Sequence, residues 1–410
     1  MRLAIINHSN RKIGGTEHYL EVLLPRLRRR DVELAFVHEN SEPENREAIS
    51  IPRGTPSWCV QAKGAAPTLT ALREWSPDLI FAHGELDPRF ESQYMALAPT
   101  VYFSHNYYGT CISGLKAFQR PTARPCERRF GLPCLALYFP RQCGGKNPLT
   151  MISLFRQTAR RLRVLRKYDA LVTHSRHLQL EYVKHGFSEA RVYNLKYEVS
   201  TKSEETQQPL SVKGGPTDPP PTWRMIFVGR MERLKGGRTL LDSLPRAHEL
   251  IGRPLHLSLA GDGSERTAWE AAAAAVHAAN PAITIEFHGW LGGAEFDRLI
   301  ASTHLVVVPS LWPEPFGKVG LEAGLHGIPS AAFAVGGIPE WLQDGTNGHL
   351  APSDPPTAEG LSNAIADCLS DPVHYRDLCG GARRIANEFN LDNHIDQLLT
   401  VFREVIARKS

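Results

Sequence analysis

Residues 224–237 read Arg224-Met225-Ile226-Phe227-Val228-Gly229-Arg230-Met231-Glu232-Arg233-Leu234-Lys235-Gly236-Gly237. A strand-length apolar run closes on glycine, and a Gly-Gly pair follows where a helical pattern begins. The segment therefore reads as strand, turn and helix N-terminus. The unit repeats downstream, with strands expected at 255–260, 284–287, 305–308 and 330–333. Upstream they are expected at 3–7, 33–37, 79–82, 100–103, 170–173 and 191–194. Helical patterns fill most of the gaps, and this alternation predicts parallel sheets covered by helices on both faces.

The fold class expected is α/β, with two Rossmann-like domains. Residues 1–200 form the first and 223–390 the second. Residues 201–222, rich in Ser, Thr, Gln, Gly and Pro, read as a linker or surface loop. The tail 391–410 carries Ile395, Leu398, Leu399, Phe402 and Ile406 at helical spacing and is expected to return to the first domain. No sequence repeat links the halves.

The chain has 410 residues, too many for one ordinary core. Hydrophobic residues at 42% and charged residues at 22% exclude a mainly disordered or collagen-like chain. No apolar window approaches the roughly 18 residues that cross a bilayer, and the first residues lack the apolar stretch of a secretory signal. A cytosolic chain is expected. Its seven cysteines then read as free thiols or metal ligands rather than a disulfide framework.

Charge is uneven. Residues 1–200 carry 29 Lys and Arg against 18 Asp and Glu, and the remainder 18 against 25. Within 111–167 there are 13 basic residues and one acid, Glu127, so this stretch is expected to face something anionic.

Ligands of such sheets bind beyond the carboxyl ends of the strands. After the first strand lies Gly14-Gly15, a close-approach site for phosphate or an ordinary turn capped by Thr16. After 224–228 come Gly229, Arg230 and Lys235, two cations beside a helix start that suit a diphosphate. Gly261 and Gly263 form another glycine loop, with Ser264 as a plausible helix cap. The densest segment is Pro309-Ser310-Leu311-Trp312-Pro313-Glu314-Pro315-Phe316-Gly317-Lys318-Val319-Gly320-Leu321-Glu322. Pro315 disfavours helix at Glu314, whereas Glu322 lies inside the following helix with a carboxylate able to accept from vicinal hydroxyls.

These motifs, with Gly336-Gly337-Ile338-Pro339-Glu340, resemble the C-terminal domain of family 4 glycosyltransferases, retaining GT-B enzymes that use nucleotide-diphosphate sugars. The resemblance implies that Arg230 and Lys235 bind the donor diphosphate, Glu322 the ribose and Glu314 the transferred sugar. It further implies that the amides of Phe316, Gly317, Lys318 and Val319 hold sugar and phosphate, and that Gly15 approaches the phosphates from the opposite domain. His288, Gly289, Trp290 and Leu291 would contact the base. His105, with His83 as second choice, would lie beside the anomeric carbon. The donor would be a UDP- or GDP-sugar acting as co-substrate, with no cofactor. The chain has no Asp-x-Asp triplet, so metal-independent stabilisation of the leaving group is expected. No enzyme nucleophile is assigned. A binding protein without transfer, or an epimerase of the same fold, are the rival readings.

Residues 151–167 form a basic helical pattern with Arg156, Arg160, Arg161, Arg163, Arg166 and Lys167. It reads as a face for an anionic membrane or as a solvated face on its own domain. Arg26 to Arg30 read as a solvated helix end. No nucleic-acid module accompanies the charge. A glycan or lipid-linked acceptor at the inner membrane face would account for the basic stretch, with a bacterial surface polysaccharide or glycolipid as product. Cys111, Cys126, Cys134 and Cys143 fall in an insertion at 107–150 and read either as zinc ligands or as unliganded thiols. Cys59, Cys368 and Cys379 read as apolar positions.

Overall fold

A computed structural model gives the structure of the chain and describes residues 1–42, 45–84, 86–196 and 220–409. The expected linker falls, over 201–219, outside the described residues.

The first sheet is built from β1 (Arg2–Ser9), β2 (Glu33–Asn40), β3 (Ser57–Cys59), β4 (Leu79–His83) and β5 (Thr100–Phe103). The insertion follows, with a small antiparallel pair, β6 (Ala117–Phe118) and β7 (Arg124–Pro125). Strands β8 (Ala170–Thr173) and β9 (Val192–Asn194) then complete the sheet. Its order is β3-β2-β1-β4-β5-β8-β9, and every pairing in it is parallel. The second sheet comprises β10 (Trp223–Val228), β11 (Leu255–Ala260), β12 (Ile283–Gly289), β13 (Leu305–Val308), β14 (Ser330–Phe333) and β15 (Gly348–Ala351). Its order is β12-β11-β10-β13-β14-β15, again parallel throughout. In both sheets the order of strand addition reverses between the first and fourth strands, which places a crevice at the carboxyl ends of β1 and β4 and of β10 and β13.

The strands are apolar because helices cover both faces: all five residues of β4 and all four of β5 are buried. The helix Gly237–Ile251 shows the matching pattern, with Leu240, Leu241, Leu244 and Ala247 buried along one stripe. Each such leucine contributes about 1.5–3 kcal/mol. Strands β3, β6, β7 and β15 were not among those expected. They have two to four residues each, and β3 and β15 are sheet edges paired on one side only, so no sustained apolar run marks them.

The last helix, Leu391–Ala407, buries Ile395, Leu398, Leu399 and Phe402. Phe402 meets Phe81 of β4 with ring centroids 4.9 Å apart, and Tyr193 of β9 donates to Glu404 at 2.9 Å. Arg30 donates to Asp392 at 3.1 Å and also pairs with Asp396. Arg30 is therefore not part of a merely solvated helix end.

The basic helix runs over Pro148–Leu165, and its arginines differ in role. Arg156, Arg160, Arg163 and Arg166 are exposed, but Arg161 is fully buried. Its guanidinium pairs with Glu91 and lies 4.8 Å and 5.0 Å from the rings of Tyr102 and Tyr108. Tyr168 also donates to Glu91, at 2.5 Å. A buried charge is tolerated only when paired in this way, so Arg161 anchors the helix and does not belong to the anion-facing surface.

Candidate active site

The second-domain half of the crevice begins where β10 ends. Gly236 has a left-handed φ of 75° and caps the helix Gly237–Ile251, and a Cβ there would lie 1.7 Å from the carbonyl oxygen of Pro309. At Gly261, with φ 133°, a Cβ would lie 2.0 Å from the carbonyl of Gly229. Both glycines are required by contact between the loops that follow β10, β11 and β13. This packing draws Lys235 toward the segment after β13.

Lys235 Nζ donates to Glu314 Oε1 at 2.7 Å, and Ser310 Oγ donates to the same oxygen at 2.5 Å. Glu314 is buried, with only 6% of its surface exposed. The Lys235 ammonium also lies 5.3 Å from the ring of Trp312, a favourable cation–π position. Arg230 is more exposed and pairs with Glu232 at 2.8 Å. Both cations line a cavity of about 360 Å³ with Arg233, Ser264, Glu265 and Trp312, closed from the first domain by Leu115, Gln119 and Gln142. Arg233 donates to Gln119 O across the two domains at 3.2 Å. The insertion thus overhangs the cation site.

The other residues singled out in the sequence do not line this cavity. Phe316 is buried, and Gly317 follows with φ 78°. Lys318 caps the helix Val319–Leu325, and its ammonium lies 3.6 Å from Glu322 within that helix. At the end of β12, His288 Nε2 lies 3.7 Å from Glu286, Gly261 donates to Gly289 O at 2.7 Å, Leu291 is half-buried and Trp290 is 70% exposed. Ser264 is not the helix cap expected: Glu265 holds that position, with no side-chain cap bond.

In the first domain Gly14, not Thr16, caps the helix Gly15–Arg29. Its amide donates to Glu17 at 2.8 Å, and Asn7 holds the other oxygen of Glu17 at 3.1 Å. An internal carboxylate therefore occupies the Gly14 amide. Gly15 is different: a Cβ there meets nothing within 4 Å, so packing does not demand its glycine.

Beyond β4 and β5, His83 Nδ1 lies 3.1 Å from His105 Nε2. His83 is fully buried and its Nε2 has no hydrogen-bond partner among the described residues. An orphaned N–H costs more than an orphaned lone pair, so we assign the His83 proton to Nδ1, donating to His105. His105 then carries its own proton on Nδ1. Burial holds His83 and His174 at about 3, His394 at about 4 and His105 well below the usual imidazole range, so the cluster is neutral. It reaches across the crevice: the His105 and His174 rings are 6.0 Å apart, and His174 meets Phe316 edge-on at 5.7 Å. The second-domain Lys318 is among the charges that lower His105.

All seven cysteines are free thiols. Cys126, Cys134 and Cys143 share a small apolar cluster with Ile112, Phe118 and Tyr138, and burial raises all three thiols, Cys143 to about 12. Among the described residues no three His, Cys, Asp or Glu side chains gather so as to hold a metal ion. Cys368 and Cys379 are buried, and Cys59 is half-buried.

Residues missed in the sequence are Trp312 as a face for Lys235, Ser310 as a second donor to Glu314, and the insertion residues over the cavity. Tyr107 and Ser175 also escaped notice; they donate to the carbonyls of Pro313 and Pro315 at 2.7 Å and 2.6 Å. Only Ser310 and Trp312 carried a signal, since they lie within the motif around Glu314.

The chain is similar to several known proteins. Glycogen synthase of Mycobacterium tuberculosis is 32% identical over 168 residues, which are 40% of this chain and 39% of that protein. The 2-deoxystreptamine glucosyltransferase of Streptomyces kanamyceticus is 27% identical over 201 residues, 49% of this chain and 48% of that one. The chain thus spans less than half the length of these curated relatives. Among solved structures, Anabaena HepE in complex with UDP has a TM-score of 0.64 at 19% identity, covering 98% of this chain and all of the other. Sucrose-phosphate synthase from Thermosynechococcus elongatus has a TM-score of 0.67 at 19% identity, covering 99% of each chain. At these identities the likeness establishes the fold. The chain has the two-domain GT-B fold, and its residues 223–371 match the family described as glycosyl transferases group 1.

Proposed function

We propose that this chain is a retaining glycosyltransferase of family 4 that moves a sugar from a UDP- or GDP-sugar to a glycan or lipid-linked acceptor. The observation that carries the reading is the meeting of Lys235 and Glu314, from loops after two neighbouring strands, at the point where the second sheet reverses. A cation for the diphosphate and a carboxylate for sugar hydroxyls belong side by side when the ligand joins a phosphate to a sugar.

In the proposed reaction the bond between the anomeric carbon and the phosphate oxygen breaks, and its electron pair leaves on the diphosphate. The acceptor oxygen bonds to the anomeric carbon on the same face and its proton passes to the departing phosphate. Arg230 and Lys235 stabilise the charge that develops there. Glu322 holds the ribose, Glu314 the sugar hydroxyls, and His105 stands beside the anomeric carbon as a neutral ring.

A membrane-borne acceptor is supported by the outer face of the insertion. Leu132 and Leu149 are 74% and 77% exposed, and Phe139 and Ile152 are also exposed. Arg156, Arg160 and Arg163 continue along the same helix in solvent. Among the described residues no helix is long and apolar enough to cross a membrane.

The test is a thermal-shift screen of the purified chain with UDP, GDP, UDP-glucose and GDP-mannose, followed by product analysis. One nucleotide should raise the melting temperature, because it binds only the native state, and its sugar should be released or transferred. A response to nucleotide without sugar release would favour a binding protein, and a new nucleotide sugar formed without acceptor would favour an epimerase.

A further inference from the structure

The segment Pro313-Glu314-Pro315-Phe316 presents four consecutive carbonyls, all of them hydrogen-bonded. Pro313 O accepts from Tyr107 Oη at 2.7 Å, and Glu314 O from the amide of Gly337 at 2.7 Å. Pro315 O accepts from Ser175 Oγ at 2.6 Å, and Phe316 O from Trp341 Nε1 at 2.9 Å. The donors alternate between first and second domain. The bonds at Pro313 and Pro315 thus come from the first domain, and those at Glu314 and Phe316 from the second. The two prolines have no N–H and leave the carbonyls as the main-chain handles there.

Tyr107, Ser175 and Trp341 are fully buried, so each bond is made where an unmade one is costly. Burial, with Glu181 and Glu314 nearby, holds the Tyr107 hydroxyl well above its usual range, so it remains a donor. Ser175 also caps the helix Arg176–Lys184 by accepting from Leu178 at 3.2 Å. The next amide, Arg176 N, donates across the crevice to Glu340 at 2.6 Å. By contrast, the Glu314 carboxylate itself is held by Lys235 and Ser310 of its own domain.

We infer that Tyr107 and Ser175 are positioning residues that form a closure latch on the backbone either side of Glu314. Separation of the domains would release the bonds at Pro313 and Pro315 and spare those at Glu314 and Phe316, freeing the loop on one side. The backbone that carries the carboxylate is then fixed on both sides only in the closed form. The purpose assigned to Glu314 rests on the nucleotide-sugar reading; the latch rests on the hydrogen bonds.

The experiment compares the full chain with Tyr107→Phe, Ser175→Ala, Ser175→Thr and the double variant Tyr107→Phe/Ser175→Ala. The probes are UDP and GDP for binding, and UDP-glucose and GDP-mannose for sugar release. Tyr107→Phe removes one hydroxyl and nothing else; it should keep nucleotide Kd within about twofold while kcat falls about tenfold. Ser175→Thr, which keeps the hydroxyl and the cap, should recover most of the rate lost in Ser175→Ala. The double variant should show a larger radius of gyration by small-angle scattering than the parent chain. An unchanged kcat in Tyr107→Phe, or a loss matched by equally weakened nucleotide binding, would overturn the latch. If the parent chain took no nucleotide, the functional reading would fail by itself, and an unchanged radius of gyration in the folded double variant would still overturn the latch.

Discussion

Lys235 Nζ and Glu314 Oε1 stand 2.7 Å apart although 79 positions separate them in the chain. The contact joins the loop after β10 to the loop after β13, and Ser310 completes it from the same side. A lysine held by a buried carboxylate is fixed in direction, with an ammonium that has two further protons to give. A diphosphate arriving beside Trp312 would meet an oriented cation, and a sugar hydroxyl would meet a carboxylate whose second oxygen remains to accept.

Removing either partner should therefore have different effects. Lys235→Ala should weaken UDP or GDP binding about tenfold or more, the range for a charged hydrogen bond, and Glu322→Ala should weaken it similarly through the ribose. Glu314→Ala should lose turnover more than nucleotide affinity. Titration calorimetry and sugar-release rates check the three together; parent-like behaviour in all of them would remove the support for the site.

The long buried strands were legible because both faces are covered: the apolar run at 224–228 lies within β10, and 330–333 coincides with β14. The short strands β3 and β15, of three and four residues, were not, although the other two edge strands, β9 and β12, fall where strands are expected. Arg161 and Arg160 look alike in sequence, but one residue turns a helix by about 100°. That rotation, together with Glu91 70 residues away, decides which is buried. The hydroxyls of Tyr107 and Ser175 bind carbonyls, a contact any residue's backbone could supply, so no pattern announced them. Glu314 is legible because proline, phenylalanine and glycine around it mark an irregular loop after a strand, and Lys235 because it stands with Arg230 between a strand end and a Gly-Gly helix start.

The same contrast predicts stability. Arg161→Ala should leave Glu91 buried without its partner and cost about 3–5 kcal/mol, whereas Arg163→Ala, on the exposed face, should stay within about 0.5 kcal/mol. Urea denaturation of the two variants measures this. Equal midpoints would mean that Arg161 is not the anchor of the helix.

Acid should destabilise the chain through its neutral histidines. His83, His174 and His394 have native values of about 3, 3 and 4 against 6.5 when unfolded, so the unfolded chain binds more protons. Their contribution is fully present above pH 6.5 and is lost as the pH falls from there toward 3 or 4. Each removes up to about 1.4 kcal/mol per pH unit in that window. Folding free energy measured from pH 7 to 5 should fall, with a shallower slope in His174→Asn than in the parent chain. An identical slope would show that His174 is already protonated, or solvated, in the folded state.

The outer face of the insertion makes the last prediction, because its two surface classes should act together. Leu149 and Ile152 lie one turn apart near the start of the basic helix, and Arg156, Arg160 and Arg163 follow toward its other end. An anionic bilayer would take the apolar pair into its headgroup boundary and hold the arginines at its surface, each worth about 1 kcal/mol. Co-sedimentation with phosphatidylglycerol vesicles should be strong at low salt and weaken as salt screens the arginines. Leu149→Glu/Ile152→Glu should abolish it without lowering the melting temperature, since neither side chain is in the core. Phosphatidylcholine vesicles should bind little. Binding that ignored both lipid charge and the double substitution would place the membrane contact elsewhere, and the lipid-linked acceptor would lose its structural argument.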